Sequence, residues 1–342
     1  MPSFITKNLH RKEDLFFIMD TEIIKQLAIL IIGFTLLVKG ADLFVDGASG
    51  IAKKFGISEL IIGLTIVAMG TSAPEAAVSI AAATKGSAGI SIGNVIGSNI
   101  MNIFIILGVV AAIVPLKIER STVRYEMPFT IIVTVLFVML GRDGLITRLD
   151  GAILWAGLLL YTAYLLRQAK QKPEESSAQA NADNNKTKEA GSSESPSIWK
   201  LIAFTIVGLA VILVSSDYAV DAAVALAKIF NISDRVIGLT IVALGTSLPE
   251  LVTSVTAALR GNGDLAVGNV IGSCIFNLLF VLGTSSLIMP IPCAPNFLFD
   301  AYVAVGATVL LLFFGYTHMK IVRWEGLLLL VCYAIYAYVA LV

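Results

Sequence analysis

The chain has 342 residues, of which 57% are hydrophobic and only 14% are charged, with a mean hydropathy of +0.88 and a net charge of zero. Soluble proteins usually contain about 25% charged residues, so this composition excludes an ordinary soluble protein and indicates an integral membrane protein. With no net positive charge and no basic aromatic patch, the sequence gives no sign of nucleic-acid binding.

Ten stretches of the chain are long and apolar enough to cross a membrane. A transmembrane helix needs about 20 mainly apolar residues, and windows of that size predict helices along the whole chain. They lie near residues 26–48, 57–83, 88–114, 125–141, 149–167, 199–226, 234–259, 264–289, 297–317 and 323–341. Residues 1–25, which come before the first of them, are predicted to form an N-terminal tail.

Residues 168–197 separate the fifth predicted helix from the sixth. They contain no aromatic residue and show no hydrophobic periodicity, which is typical of a disordered linker. The linker divides the rest of the chain into a first five-helix repeat, residues 26–167, and a second, residues 198–342.

The two halves contain the same motifs, offset by 175 residues. The motifs are IGLTIVAMGTSAPE at 62–75 with IGLTIVALGTSLPE at 237–250, and GNVIGS at 93–98 and again at 268–273. Because each half has an odd number of crossings, the second half must enter the membrane in the opposite orientation. The sequence therefore predicts an all-α membrane protein with ten transmembrane helices arranged as two inverted five-helix repeats.

Lysine and arginine in the loops indicate the orientation of the chain. If the linker is cytoplasmic, inner loops and the linker hold 14 of these residues and outer loops hold 5. Cytoplasmic loops are usually enriched in them, although the tail, with Lys7, Arg11, Lys12 and Lys25, favours the opposite orientation. We predict a multi-pass protein of the cell membrane, with a cytoplasmic linker and both termini outside.

The motif GTS-x-PE contains a proline in the middle of a predicted membrane helix. Proline has no N–H to donate to the carbonyl four residues earlier. Pro74 therefore frees the carbonyl of Gly70, and Pro249 frees that of Gly245. In hydrocarbon, a freed carbonyl needs protein, water or an ion as its partner.

Hydroxyl and carboxylate groups lie on the same face as this break. Thr71 and Ser72 precede Glu75 by four and three residues, so helical spacing brings them together. The second copy provides Thr246, Ser247 and Glu250. A carboxylate inside a membrane is too costly to be retained without a function. An all-oxygen set suits Ca²⁺ or Na⁺ rather than zinc or copper.

The GNVIGS motif begins a second polar element in each half. Ser98 lies four residues before Asn102, and Ser273 four residues before Asn277, so each pair forms a polar stripe that we interpret as lining an ion pathway. The small-residue pairs of this motif, which permit close approach of helices, are Gly93 with Gly97 and Gly268 with Gly272. Asn94 and Asn269 are interpreted as packing residues whose amides bond between helices.

These motifs resemble those of the calcium/cation antiporter superfamily, and most of all its prokaryotic sodium/calcium exchangers. The resemblance covers residues near 40–110 and 215–285 together with the ten-helix layout. It implies four central cation sites between the second, third, seventh and eighth helices, and it implies Ca²⁺ and Na⁺ as transported ions with no resident cofactor.

The resemblance also implies roles for individual residues. Glu75 and Glu250 would bind Ca²⁺, together with the carbonyls of Thr71 and Thr246. The residues implied in Na⁺ binding, through carbonyl or hydroxyl oxygens, are Ala68, Ser72, Ser98, Ala243, Ser247 and Ser273. Asn102 and Asn277 would line a middle site. Some archaeal relatives have aspartate in place of Asn277, and potassium-dependent relatives have aspartate at one of these two positions, so two amides weaken the case for K⁺ transport.

The sequence favours a secondary antiporter that admits Na⁺ and exports Ca²⁺ across a lipid bilayer. A Ca²⁺/H⁺ exchanger of the same fold remains an alternative, because Glu75 and Glu250 can titrate. A passive cation channel is a second alternative, although two broken helices in inverted repeats favour alternating access. An intramembrane enzyme is disfavoured because no His or Cys forms a nucleophile–base pair with the two glutamates.

Overall fold

A computed structural model describes residues 2–86, 88–171, 196–230 and 243–341, and within them the protein is almost entirely helical. The helices are α1 Pro2–Phe55, α2 Glu59–Thr71, α3 Ala73–Thr84, α4 Ala88–Ile113, α5 Thr122–Leu140, α6 Arg148–Gln171, α7 Ile198–Ile229, α8 Ala243–Thr246, α9 Leu248–Leu259, α10 Gly263–Ile288, α11 Pro295–His318 and α12 Arg323–Leu341. Four two-residue strands join them, namely β1 Leu116–Lys117, β2 Leu145–Ile146, β3 Ile291–Pro292 and β4 Lys320–Ile321.

Eight of the described helices are long and apolar enough to cross a membrane, namely α1, α4, α5, α6, α7, α10, α11 and α12. A ninth crossing is provided if α2 and α3, which are bent by 48° at their junction, count as one broken span. The predicted span at 234–259 is described only from Ala243 onward, as α8 and α9. The protein is therefore an all-α, multi-pass membrane protein.

Two predicted boundaries differ from the structure. Helix α1 begins at Pro2, so the tail predicted at residues 1–25 is not separate from the first helix. Apolar windows miss this extension because backbone hydrogen bonds continue a helix whether or not its side chains are apolar. Helix α6 continues to Gln171 and α7 begins at Ile198, while residues 172–195 of the predicted linker lie outside the described residues.

Both predicted helix breaks are present. Ser72 separates α2 from α3 with φ −82° and ψ 11°, and Ser247 separates α8 from α9 with φ −90° and ψ 6°. Pro74 and Pro249 each occupy the first turn of the helix that follows. Proline is tolerated there because the first N–H groups of a helix have no partner within it.

Helices α1 and α7, the first helices of the two halves, pack against each other in antiparallel directions. Gly33 of α1 faces the backbone of Ser215, whereas Gly47 faces Thr205, so residue numbers rise along one helix and fall along the other. A Cβ atom on Gly47 would lie 2.6 Å from the Thr205 nitrogen. Glycine therefore permits the close approach of the two backbones here.

The strands pair with a symmetry that follows the sequence repeat. Leu116 of β1 pairs with Ile321 of β4, and Ile146 of β2 pairs with Ile291 of β3. Adding 175 to residues 116 and 146 gives 291 and 321, so the same offset that relates the motifs converts one strand pair into the other. Each strand pair joins one half of the chain to the other.

The two halves also interlock through their membrane helices. A Cβ on Gly108 of α4 would lie 3.1 Å from the carbonyl oxygen of Gly326 in α12, and a Cβ on Gly151 of α6 would lie 2.8 Å from that of Gly283 in α10. These contacts, too, are related by the offset of 175. The last helix of each half therefore packs against the other half, with α10 the most deeply buried span.

An ion-pair cluster connects the end of α9 with α1. Arg260 pairs with Asp42 at 2.7 Å, and its other terminal nitrogen pairs with Asp46. All three side chains are partly exposed. Exposed pairs contribute at most about 1 kcal/mol to stability.

Candidate cation-binding site

The two helix breaks meet in the interior of the protein, between α4 and α10. Each break places a serine at the junction and a glutamate in the first turn of the following helix, where the positive end of the helix dipole favours a carboxylate. Glu75 is 1% exposed and Glu250 is fully buried.

Each half of the chain donates a hydroxyl to the glutamate of the other half. Ser72 Oγ donates to Glu250 Oε1 at 2.8 Å, and Ser247 Oγ donates to Glu75 Oε1 at 3.1 Å. The offset of 175 residues converts one bond into the other. The GTS-x-PE motifs therefore form one joint site rather than two separate ones.

The serines of the GNVIGS motifs border the same two carboxylates. Ser98 Oγ donates to Glu75 Oε1 at 3.4 Å. The Ser273 hydroxyl is buried beside the Glu250 carboxylate. The Oε2 atoms of Glu75 and Glu250 are also buried without a hydrogen-bond partner.

Among the described residues, no lysine or arginine forms an ion pair with Glu75 or Glu250. A buried charge without a partner is strongly unfavourable. Each carboxyl group must therefore be either protonated or balanced by a cation, and the oxygens around the two glutamates are of the kind that alkali and alkaline-earth ions prefer.

Asn94 and Asn269 connect the helices around the site. Asn94 Nδ2 lies 3.1 Å from the Glu75 carbonyl and 2.9 Å from Ser79 Oγ. Asn269 Nδ2 lies 3.4 Å from the Glu250 carbonyl and 2.9 Å from Ser254 Oγ. These bonds agree with the interpretation of both asparagines as packing residues.

Ser79 and Ser254 were not predicted as parts of the site. Ser79 follows Glu75 by four residues, and Ser254 follows Glu250 by four residues, so each serine lies on the same helical face as its glutamate. That repeated spacing was the signal available in the sequence.

The threonines and alanines occupy the helices just before the breaks. Thr71 Oγ1 lies 3.0 Å from Asn269 Oδ1 and 3.1 Å from the Val67 carbonyl, so its hydroxyl is used within the protein. Ala68 is fully buried in α2, and Thr246 is partly buried in α8. Ala243 is the first residue of α8, and its side chain lies outside the described residues.

The carbonyl freed by Pro249 has a protein partner. Ser216 Oγ of α7 donates to the Gly245 carbonyl at 3.2 Å. The residue that corresponds to Ser216 in the first half is Ala41, which has no side-chain donor. The two breaks therefore differ in how their freed carbonyls are satisfied.

Asn102 and Asn277 are buried in the middle of α4 and α10. Each begins a π-helical turn, Asn102–Ile106 in α4 and Asn277–Leu282 in α10; such turns are frequent at functional sites. Asn277 Nδ2 donates to Asn99 Oδ1 at 3.2 Å, whereas neither amide atom of Asn102 has a hydrogen-bond partner. The sequence did not single out Asn99.

The chemistry of the site is that of neutral and carboxylate oxygens. Within the described ranges, no group of three or more His, Cys, Asp or Glu side chains could hold a metal ion. The oxygens at the two breaks belong to hydroxyl, amide, carbonyl and carboxylate groups, which are the ligand types that hard cations prefer.

Comparison with known proteins identifies the family. The family model described as sodium/calcium exchanger protein matches residues 25–168 and 200–342. The chain belongs to this family. Each matched range contains one copy of the repeated motifs, so the match covers both halves of this exchanger-family protein.

Full-length relatives agree with this assignment. The sodium/calcium exchanger MaX1 of Methanosarcina acetivorans is 36% identical over 339 residues, covering 89% of this chain and 95% of that protein. The inner membrane protein YrbG of Escherichia coli is 39% identical over 266 residues, covering 77% and 80%. A solved structure of the sodium-calcium exchanger NCX_Mj superposes with a TM-score of 0.77 at 35% identity, covering 92% of this chain and 98% of that one.

Proposed function

We propose that this protein is a secondary antiporter that exchanges Na⁺ for Ca²⁺ across the cell membrane by alternating access. The observation that carries the proposal is the reciprocal pair of bonds from Ser72 to Glu250 and from Ser247 to Glu75. A site made equally by two repeats lies where those repeats meet. A movement of one half against the other can therefore open it to either side of the membrane.

The proposal includes ten membrane spans in two inverted repeats. The antiparallel packing of α1 against α7 supports inversion, since these are the corresponding first helices of the two halves. The offset of 175 residues also relates the strand pair β1–β4 to the strand pair β2–β3, which supports the inverted repeat as well. The tenth span is the one whose first part, residues 231–242, lies outside the described residues.

Charge favours Ca²⁺ and Na⁺ as the transported ions. Glu75 and Glu250 together carry two negative charges when ionised, which one Ca²⁺ balances. We propose that the Thr71 and Thr246 carbonyls complete the calcium site. The proposed Na⁺ ligands are oxygens of Ala68, Ser72, Ser98, Ala243, Ser247 and Ser273, with Asn102 and Asn277 lining the middle. MaX1 is named a sodium/calcium exchanger, and NCX_Mj structures were obtained after soaking with Na⁺ and Ca²⁺ or Sr²⁺.

Flux measurements test the coupling ion. Purified protein in proteoliposomes should take up ⁴⁵Ca²⁺ when a Na⁺ gradient is imposed, and not when a K⁺ or H⁺ gradient is imposed alone. Uptake driven by H⁺ alone would indicate a Ca²⁺/H⁺ exchanger of the same fold. Rapid Ca²⁺ flux with no counter-ion gradient would indicate a channel and would contradict antiport.

Cysteine labelling tests the proposed orientation, in which the linker is cytoplasmic and both termini are outside. An impermeant thiol reagent added to intact cells should label cysteines introduced at residues 142–148 but not at residues 168–197. Permeabilised cells should be labelled at both places, which serves as the control for reactivity. Labelling of the linker in intact cells would reverse the orientation while leaving the inverted repeat in place.

Ser98→Ala and Ser273→Ala should weaken Na⁺ activation more than Ca²⁺ binding. Na⁺ carries one charge and can be bound by neutral dipoles, whereas Ca²⁺ draws most of its binding energy from the two glutamates. Loss of one buried hydroxyl ligand costs about 1–3 kcal/mol, which corresponds to roughly tenfold to hundredfold weaker binding. Na⁺ activation curves and Ca²⁺ affinities of both variants measure this. Variants that lose Ca²⁺ affinity but keep normal Na⁺ activation would contradict the assignment.

A further inference from the structure

Asn99 and Cys274 break the symmetry of the site at its centre. They are corresponding residues of the two halves, and each faces the backbone of the other. Asn99 Nδ2 donates to the Cys274 carbonyl at 3.1 Å, while Cys274 Sγ lies 3.9 Å from the Asn99 carbonyl. Both side chains are buried, at 3% and 1% exposure. The axis that relates the two halves therefore passes between an amide and a thiol.

The bond from Asn99 to a backbone carbonyl determines which way the next amide points. A carbonyl oxygen can only accept, so the NH₂ group of Asn99 must face Cys274. Asn99 Oδ1 then faces Asn277, and the Asn277 atom that lies 3.2 Å from it must be the donor Nδ2. Asn277 Oδ1 is consequently turned away from Asn99, and it is buried without a hydrogen-bond donor.

The corresponding amide in the first half has no such constraint. Asn102 lies near the thiol of Cys274, and a thiol is only a weak donor and a weak acceptor. Both polar atoms of the Asn102 side chain lack a hydrogen-bond partner. Of the two amides in the middle of the site, the one on α10 therefore has the better-defined orientation, since it bonds to a strong acceptor rather than lying near a thiol.

We propose that Asn99 is a positioning residue, which holds the Asn277 amide with its oxygen directed to the middle of the cation site. This inference rests on the proposed function, since it concerns how the site receives Na⁺. A fixed amide oxygen is a suitable ligand for a monovalent cation, because its dipole is favourable without adding a full charge. An amide free to turn would also present its NH₂ group, whose positive end repels a cation.

A double-mutant cycle tests the proposal through equilibrium binding. The variants are Asn99→Ala, Asn277→Ala and the pair together, and the readout is displacement of ⁴⁵Ca²⁺ by Na⁺ from purified protein. Asn99→Ala alone should weaken the displacement about tenfold, the scale of one lost polar contact. In the Asn277→Ala background, where no amide remains to be oriented, the same change should have an effect below about twofold.

Two further variants control for packing. Gly306→Ala, at a position away from the site where an added methyl group would meet open space, should match the wild type in Na⁺ displacement. Asn99→Leu keeps the branched shape and the number of side-chain heavy atoms of asparagine but has no polar group, and it replaces Asn99→Ala in the cycle if the alanine variant does not fold.

The outcomes separate this inference from the proposed function. Equal losses in both backgrounds would show that Asn99 acts on packing and not through Asn277, and would overturn the proposal. Normal Na⁺ displacement in Asn99→Ala would overturn it as well. If Na⁺ fails to displace Ca²⁺ from the wild-type protein, the proposed Na⁺/Ca²⁺ exchange is wrong and the role of Asn99 is overturned with it.

Discussion

Replacement of either Glu75 or Glu250 by glutamine is expected to abolish Ca²⁺ transport. Each change removes half of the negative charge that balances a buried divalent ion. Breaking a buried charge pair in this way costs about 3–5 kcal/mol, so Ca²⁺ binding should weaken more than a hundredfold. The fold should survive, because the glutamine oxygen can still accept from the serine of the other half, Ser247 or Ser72.

The measurement is ⁴⁵Ca²⁺ uptake into proteoliposomes under a Na⁺ gradient, with thermal unfolding to confirm that each variant is intact. Glu59→Gln is a suitable control, since Glu59 lies in the first turn of α2 and is only partly buried. Its removal should leave uptake close to the wild-type rate. Wild-type uptake by Glu75→Gln or Glu250→Gln would show that these carboxylates do not bind the transported Ca²⁺.

Local features of the sequence predicted the elements of the site well. A proline in the middle of an apolar span always removes a backbone hydrogen bond of the helix. Pro74 and Pro249 therefore located both breaks. Apolar length likewise predicted α4, α10 and the other long spans except α1 to within a few residues, because the thickness of the hydrocarbon layer sets the length of a membrane-spanning helix. The oxygen-rich chemistry of the motifs followed from residue types alone.

Contacts between the two halves could not be predicted in the same way. Helical spacing places Ser72 on the face of Glu75, in its own half, yet the hydroxyl of Ser72 bonds to Glu250. Asn99 lies one residue after Ser98 and outside the polar stripe of α4. Its contacts are with residues of α10, and the periodicity of the sequence does not show that α10 packs there. The partner of the Gly245 carbonyl, Ser216, also comes from a separate helix.

Gly272→Ala is expected to remove most transport by separating α2 from α10 beside the site. A Cβ atom at Gly272 would lie 2.8 Å from the Cα and from the carbonyl oxygen of Leu64, and 2.8 Å from the Cβ of Ala68. None of these atoms can rotate away, so the helices themselves must move. Overpacking of this kind costs about 1–3 kcal/mol of stability.

The consequence for transport should exceed the loss of stability. The displaced neighbours are Ala68, a proposed Na⁺ ligand, and Ser273, which follows Gly272 directly, and misplacement of ligands by about 1 Å can cost a site a hundredfold in function. Gly306→Ala is the matched control, because a Cβ atom at Gly306 would have no described atom within 4 Å apart from its chain neighbours and the nearby backbone of its own helix. The measurements are Na⁺-driven ⁴⁵Ca²⁺ uptake and the melting temperature, compared between Gly272→Ala and Gly306→Ala. If Gly272→Ala transports as well as Gly306→Ala, close contact between α2 and α10 is not what holds the Ala68 and Ser273 oxygens in place.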